Sequence, residues 1–151
     1  MDGLSGAASI IAVVNLAAKV ASLCFQYSVD VKDAKNDIER LHEEVNNIKD
    51  VLGGVKQLLD KADNKVRLSV TQKLSDSLDD CSMRLKAVQK RLKPGKTRTA
   101  MSWCGVRALK WPFKSKEVEK VIARLERHKQ AFAAALQVDQ TLVLYLTSYG
   151  N

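Results

Sequence analysis

The first places to look for chemistry in this sequence are its two histidines, its three cysteines and one glycine-lysine-threonine triplet. Gly95-Lys96-Thr97 has the ending of a phosphate-binding loop, whose successive backbone N–H groups cradle a polyphosphate. That motif needs a glycine five positions earlier, where Lys90 stands, and no strand pattern precedes it. His42-Glu43-Glu44 begins like a zinc helix, in which two histidines one turn apart hold the metal and a glutamate serves as base. The second histidine is missing, and His128 falls on a different predicted helix. Cys24, Cys81 and Cys104 are odd in number and contain no CxxC pair, so they read as free thiols of a reducing compartment. No nucleophile has a base at a recognisable spacing, so the expectation is a non-enzyme with no metal, no cofactor and no small-molecule substrate. Myristoylation is also not expected, because Asp2 rather than glycine follows Met1.

Charge is the stronger signal. From Cys81 to Lys116 the sequence carries 11 Lys or Arg and no Asp or Glu, while the remainder holds 14 cations against 17 acids, giving the net +8. A block of this kind favours association with a polyanion, either nucleic acid or an anionic membrane surface.

The elements that must position these residues are helices. A chain of 151 residues with 46% hydrophobic and 28% charged residues can build one core, and 7 Gly and 2 Pro are too few for the turns of an all-β domain. Val31, Ala34, Ile38, Leu41, Val45, Ile48, Leu52, Val55 and Leu59 alternate spacings of three and four, which predicts a helix over about 30–62 with one buried seam. Gly53-Gly54 marks a weak point or bend within it. Leu74, Leu78, Cys81, Leu85, Val88 and Leu92 repeat the rule over about 67–93, and Pro94-Gly95 ends that helix. Ser115 is the expected N-cap of a last helix over about 115–147, with Glu117 and Glu119 in its first turn and Val118, Ile122, Leu125, Phe132 and Leu136 facing the core. The apolar stretch from Gln140 to Leu146 reads as the end of that helix, leaving 142–151 as helix end or short tail.

The first segment, about 4–27, differs in kind. Ala7 to Phe25 holds one charge, Lys19, and its polar residues Asn15, Lys19, Ser22 and Gln26 form one narrow stripe. Such a helix is either the central rod of a bundle or a segment able to enter a bilayer, since 19 residues at 1.5 Å each span about 28 Å. Burial at rest followed by release joins the two. Between Pro94 and Ser115 lies a basic linker with an expected short helix, in which Trp103, Val106, Arg107 and Lys110 share a face and Trp111-Pro112-Phe113 follows. Aromatics among cations suit an anionic lipid interface; the plainer alternative is that Trp103, Trp111 and Phe113 plug one end of the bundle.

The opening MDGLSGAASIIAVVNLAAKVASLC, the stretch DIERLHEEV and above all RALKWPFKSKEVEKVIARLERHKQAFAAALQVDQT resemble the N-terminal HeLo-like domain of fungal STAND (NOD-like receptor) proteins. The resemblance covers about residues 1–141. It implies an all-α, antiparallel four-helix bundle acting as a cell-death or incompatibility effector. Such a domain is cytoplasmic and inactive until a STAND receptor or an amyloid-motif partner drives its self-association, and is then directed to the plasma membrane with its first helix. Family members continue into a nucleotide-binding or amyloid motif, and this sequence carries neither.

The resulting expectations are specific. Leu4, Ile10, Ile11, Val13, Val14, Leu16, Val20 and Leu23 form the membrane-entering face. Lys90, Arg91, Lys93, Lys96, Arg98, Trp103, Arg107, Lys110, Trp111 and Lys114 meet an anionic phospholipid surface. Ile38, Leu41, Val45, Ile48, Leu52, Leu74, Leu78, Leu85, Leu125 and Phe132 build the bundle seam. Two alternatives stand beside this reading: an oligomerisation or adaptor module without membrane activity, and a basic nucleic-acid-binding bundle, for which no reading motif is present.

Overall fold

The computed structural model describes the backbone of residues 2–93 and 110–149 and the side chains of residues 7–93 and 110–137. Four long helices account for nearly all of it: α1 (Asp2–Asp30), α2 (Lys35–Lys61), α3 (Asn64–Leu92) and α4 (Ser115–Tyr149). α1 packs against α2 and α3, and α4 packs against the same two. α1 and α4 therefore occupy opposite corners of a four-helix bundle whose consecutive helices run antiparallel, and α2 and α3 face each other across its diagonal. The short helix expected in the basic linker lies outside the described residues.

The seams predicted from periodicity form the core. Ile38, Leu41, Val45, Ile48, Leu52, Val55 and Leu59 of α2 are buried, as are Leu74, Leu78, Cys81, Leu85, Val88 and Leu92 of α3 and Val118, Leu125 and Phe132 of α4. One apolar residue every three or four positions gives each helix a stripe wide enough to bury against two neighbours. α2 begins at Lys35 rather than near Asp30, because α1 continues to Asp30 and Val31, whose N–H donates to the Tyr27 carbonyl at 2.8 Å, turns the chain as a buried residue. α2 runs unbroken through Gly53-Gly54. A Cβ at Gly54 would stand 3.4 Å from Leu136 Cδ2, so the absent side chain is where α4 comes close.

Two helix ends are tied in ways spacing did not disclose. Asp63 caps α3, its Oδ1 accepting from the Val66 N–H at 2.9 Å. Arg67, one turn on, donates to the carbonyls of Leu59 (2.6 Å) and Asp60 (3.3 Å) at the end of α2, where the Ala62 N–H also donates to Leu59 at 3.2 Å. At the start of α4, Ser115 is not the cap. Val118 N–H donates to the Lys114 carbonyl and the Glu117 carboxylate reaches back to the Lys114 N–H at 3.1 Å, the reciprocal half of a capping box, so Lys114 holds the cap position. The Ser115 hydroxyl is turned outward and donates to Asp37 of α2 at 2.7 Å.

Candidate functional site

α1 is the element that separates this bundle from an ordinary one. Ile10, Val13, Ala17, Val20, Ala21, Cys24 and Tyr27 are buried, at 7% exposure or less. Val14, Leu16 and Leu23 are half-buried against that core. Asn15, Lys19, Ser22 and Gln26 face solvent, as the polar stripe predicts. The expectation of a central, enclosed rod does not hold. α1 is a corner helix with two neighbours, so one flank of the polar stripe stays uncovered, and there Ile11 is 41%, Phe25 59% and Val29 64% exposed. Leu4 lies in α1, with its side chain outside the described residues. Ala7–Asp30 is long and apolar enough to cross a bilayer by length and composition, and less than half of it is buried in the bundle.

The C-terminal end of α1 is fastened by a polar and aromatic cluster. The Tyr27 hydroxyl donates to the carbonyl of Leu92, the last residue of α3, at 2.8 Å. Trp111 meets the Tyr27 ring edge-on at 5.4 Å and the Phe113 ring at 5.3 Å. Phe113 is buried, and the Arg91 guanidinium lies over it, 4.2 Å from the ring centre. Arg91 also donates to the Pro112 carbonyl and the Glu117 carboxylate. That bond holds the Glu117 carboxyl below the ordinary carboxylate range, with the Lys114 N–H adding to it. Trp111 and Phe113 thus plug the bundle end, and Arg91, expected on an anionic surface, is exposed there and also clasps the plug, with a carboxylate, a carbonyl and a ring within reach. The Trp111 Nε1 is shielded from solvent and has no hydrogen-bond partner among the described residues.

Around this end Lys90, Lys93, Lys110 and Lys114 are exposed. Lys96, Arg98, Trp103 and Arg107 lie outside the described residues. The bundle end therefore sets four solvated ammonium groups beside the C-terminus of the most apolar helix.

Farther down, the α3–α4 and α2–α4 seams carry charge. Asp80 accepts from, or pairs with, His128 Nε2 at 2.6 Å, Arg124 Nε at 3.5 Å and Arg84 Nε at 3.8 Å. The His128 hydrogen bond, followed by its charge and those of Arg124 and Arg84, lowers the Asp80 pKa. Glu44, 8% exposed, pairs with Lys129, Nζ lying 3.1 Å from one carboxylate oxygen and donating to the other at 3.2 Å. Only the Arg84–Asp80 pair, one helical turn apart, is visible in the spacing; the ties between helices join partners 44 to 85 residues apart. Cys24 and Cys81 are buried free thiols, each pushed up to about 12 by burial. Among the described residues no group of His, Cys, Asp and Glu is arranged to hold a metal ion.

Over residues 1–143 the chain matches the family described as pigment biosynthesis cluster protein PigL N-terminal. No curated protein and no solved structure matches it.

Proposed function

We propose that this chain, which belongs to the PigL N-terminal family, is the N-terminal effector module of a fungal STAND-type signalling system and acts by moving α1 from the bundle onto an anionic membrane. The observation that carries this reading is the incomplete burial of α1. Its apolar length suits a bilayer, and it is held by one face and one plugged end rather than enclosed. Leaving the bundle exposes Ile10, Val13, Val20 and their neighbours to water, at about 25 cal/mol per Å² of apolar surface, unless hydrocarbon receives them. The exposed lysines at the plugged end bring that hydrocarbon near, each contributing about 1 kcal/mol at an anionic surface. Opening also lets the Trp111 indole N–H find a partner at the headgroup layer.

Within this reading the protein is cytoplasmic at rest and reaches the plasma membrane on self-association driven by an upstream receptor or amyloid-motif partner. It uses no cofactor and catalyses no reaction. Ile11→Glu tests it cleanly, because Ile11 is exposed in the bundle and its replacement leaves folding nearly unchanged. Leakage of anionic vesicles should be lost in Ile11→Glu while the thermal unfolding midpoint stays put. Leakage equal to the parent protein's would remove α1 from the mechanism.

A second reading rests on Ile11, Ala18 and Phe25, which recur every seven residues on the uncovered flank of α1 and suit pairing with another helix. In that case the domain is an oligomerisation module, and light scattering would show association without lipid that Phe25→Glu abolishes.

A further inference from the structure

Away from α1, the groove between α3 and α4 opens into a cleft of about 380 Å³ lined by Arg84, Lys120, Val121, Ala123, Arg124 and Arg127. We infer that this cleft binds a small ligand carrying two phosphate groups, held by Arg84, Lys120, Arg124 and Arg127.

Lys120, Arg124 and Arg127 recur at the four- and three-residue spacing that puts side chains on one helix face, and Arg84 faces them from α3. Four cations so placed repel one another, and the carboxylate among them is Asp80. The site is left with three net positive charges. A phosphate monoester carries about 1.5 to 2 negative charges at neutral pH, so two of them balance the site where one carboxylate or one phosphate does not.

Two of the arginines are tied to Asp80: Arg124 Nε donates to it at 3.5 Å, Arg84 Nε forms an ion pair with it at 3.8 Å, and His128 Nε2 bonds the same carboxylate at 2.6 Å. Pairing with Asp80 through Nε leaves the terminal nitrogens of each guanidinium available to a phosphate, which a guanidinium can grip bidentately. Val121 and Ala123 give the ligand's carbon frame an apolar rest, and the volume lies within the range of small-molecule sites. Asp80 is thus a positioning residue for the two arginines.

The test titrates the whole protein with inorganic pyrophosphate by calorimetry and compares two double variants of equal net charge. Lys120→Gln/Arg127→Gln removes two cleft cations that have no side-chain partner among the described residues, so its unfolding midpoint should match the parent's. Lys65→Gln/Lys73→Gln removes two exposed cations elsewhere on α3. Saturable binding is expected, weakened at least about tenfold in the cleft variant and by less than about twofold in the control.

A second arm uses phosphatidylcholine vesicles doped with a phosphatidylinositol bisphosphate. Vesicle binding lost in the cleft variant places the phosphates on a lipid headgroup, and vesicle binding indifferent to that variant makes the ligand a soluble one. The inference is overturned if pyrophosphate does not bind, if the two variants weaken it equally, or if hexaglutamate binds as tightly. The pyrophosphate arm contains no bilayer, so its failure leaves the reading of α1 untouched.

Discussion

Replacing Tyr27 by Phe removes one oxygen atom from the junction that holds the end of α1. The ring stays, with its edge-on contact to Trp111 at 5.4 Å. What is lost is the 2.8 Å hydrogen bond to the Leu92 carbonyl, made by a side chain that is 1% exposed. A buried acceptor left without its donor costs about 1–3 kcal/mol. For a chain of this length each kcal/mol moves Tm by roughly 2–4 °C, so Tyr27→Phe should lower Tm by roughly 2–12 °C. If the same bond helps keep α1 in the bundle, the detached population rises by about 5- to 150-fold, since about 1.4 kcal/mol is a factor of ten. Leakage should then begin at a lower fraction of anionic lipid than the parent requires. Circular dichroism melts and dye release from vesicles of graded phosphatidylserine content read the two effects separately. An unchanged Tm would refute the energetic argument. A lowered Tm with an unchanged lipid threshold would make the bond a fold contact with no part in release.

Three further outcomes follow from particular contacts. The Asp80 carboxyl is lowered in the folded protein, so its contribution to stability is present above the unfolded value near pH 4 and is lost as pH falls through the folded one; the stability gap between the parent and Asp80→Asn should shrink between pH 5 and pH 3, and a gap that widens there contradicts the assignment. A Cβ at Gly53 meets nothing within 4 Å in the middle of α2, so Gly53→Ala should stabilise by about 0.5–1 kcal/mol in denaturant melts, while Gly54→Ala, with Leu136 at 3.4 Å, should gain less. Cys24 and Cys81, pushed up to about 12 by burial, should resist iodoacetamide at pH 8 in the folded protein and react only in denaturant, as mass spectrometry would report.

The helical seams were legible because burial against a partner imposes a period of 3.6 residues, and Ile38 to Leu59 and Leu74 to Leu92 obey it with few interruptions. The solvent stripe of α1 was legible for the same reason: Asn15, Lys19, Ser22 and Gln26 all face water. The extent of α1's burial was not, because hydropathy records how much a helix can bury and not how many neighbours it has; two neighbours leave Phe25 and Val29 outside. Arg91 illustrates the limit for charge. In the sequence it is one cation in an acid-free run, yet the fold sets it over Phe113 and against Glu117, 26 residues away. The cap at Lys114 was hidden by the adjacent Ser115, the better capping residue by type, whose hydroxyl the fold spends on Asp37. The cleft cations Lys120, Arg124 and Arg127 carry a visible spacing, but only packing brings Arg84 and Asp80 to them.

The transfer of α1 from protein to hydrocarbon can be read at Ala18, which lies near the middle of the apolar span Ala7–Asp30 and is exposed in the bundle, so a label there leaves packing intact. With Cys104 replaced by serine, an environment-sensitive fluorophore on Ala18→Cys should shift to the blue and be quenched by a mid-bilayer nitroxide lipid on vesicles containing phosphatidylserine, and stay aqueous on phosphatidylcholine alone. Emission that remains aqueous on both, under conditions where the protein sediments with the vesicles, would mean that α1 never leaves the bundle.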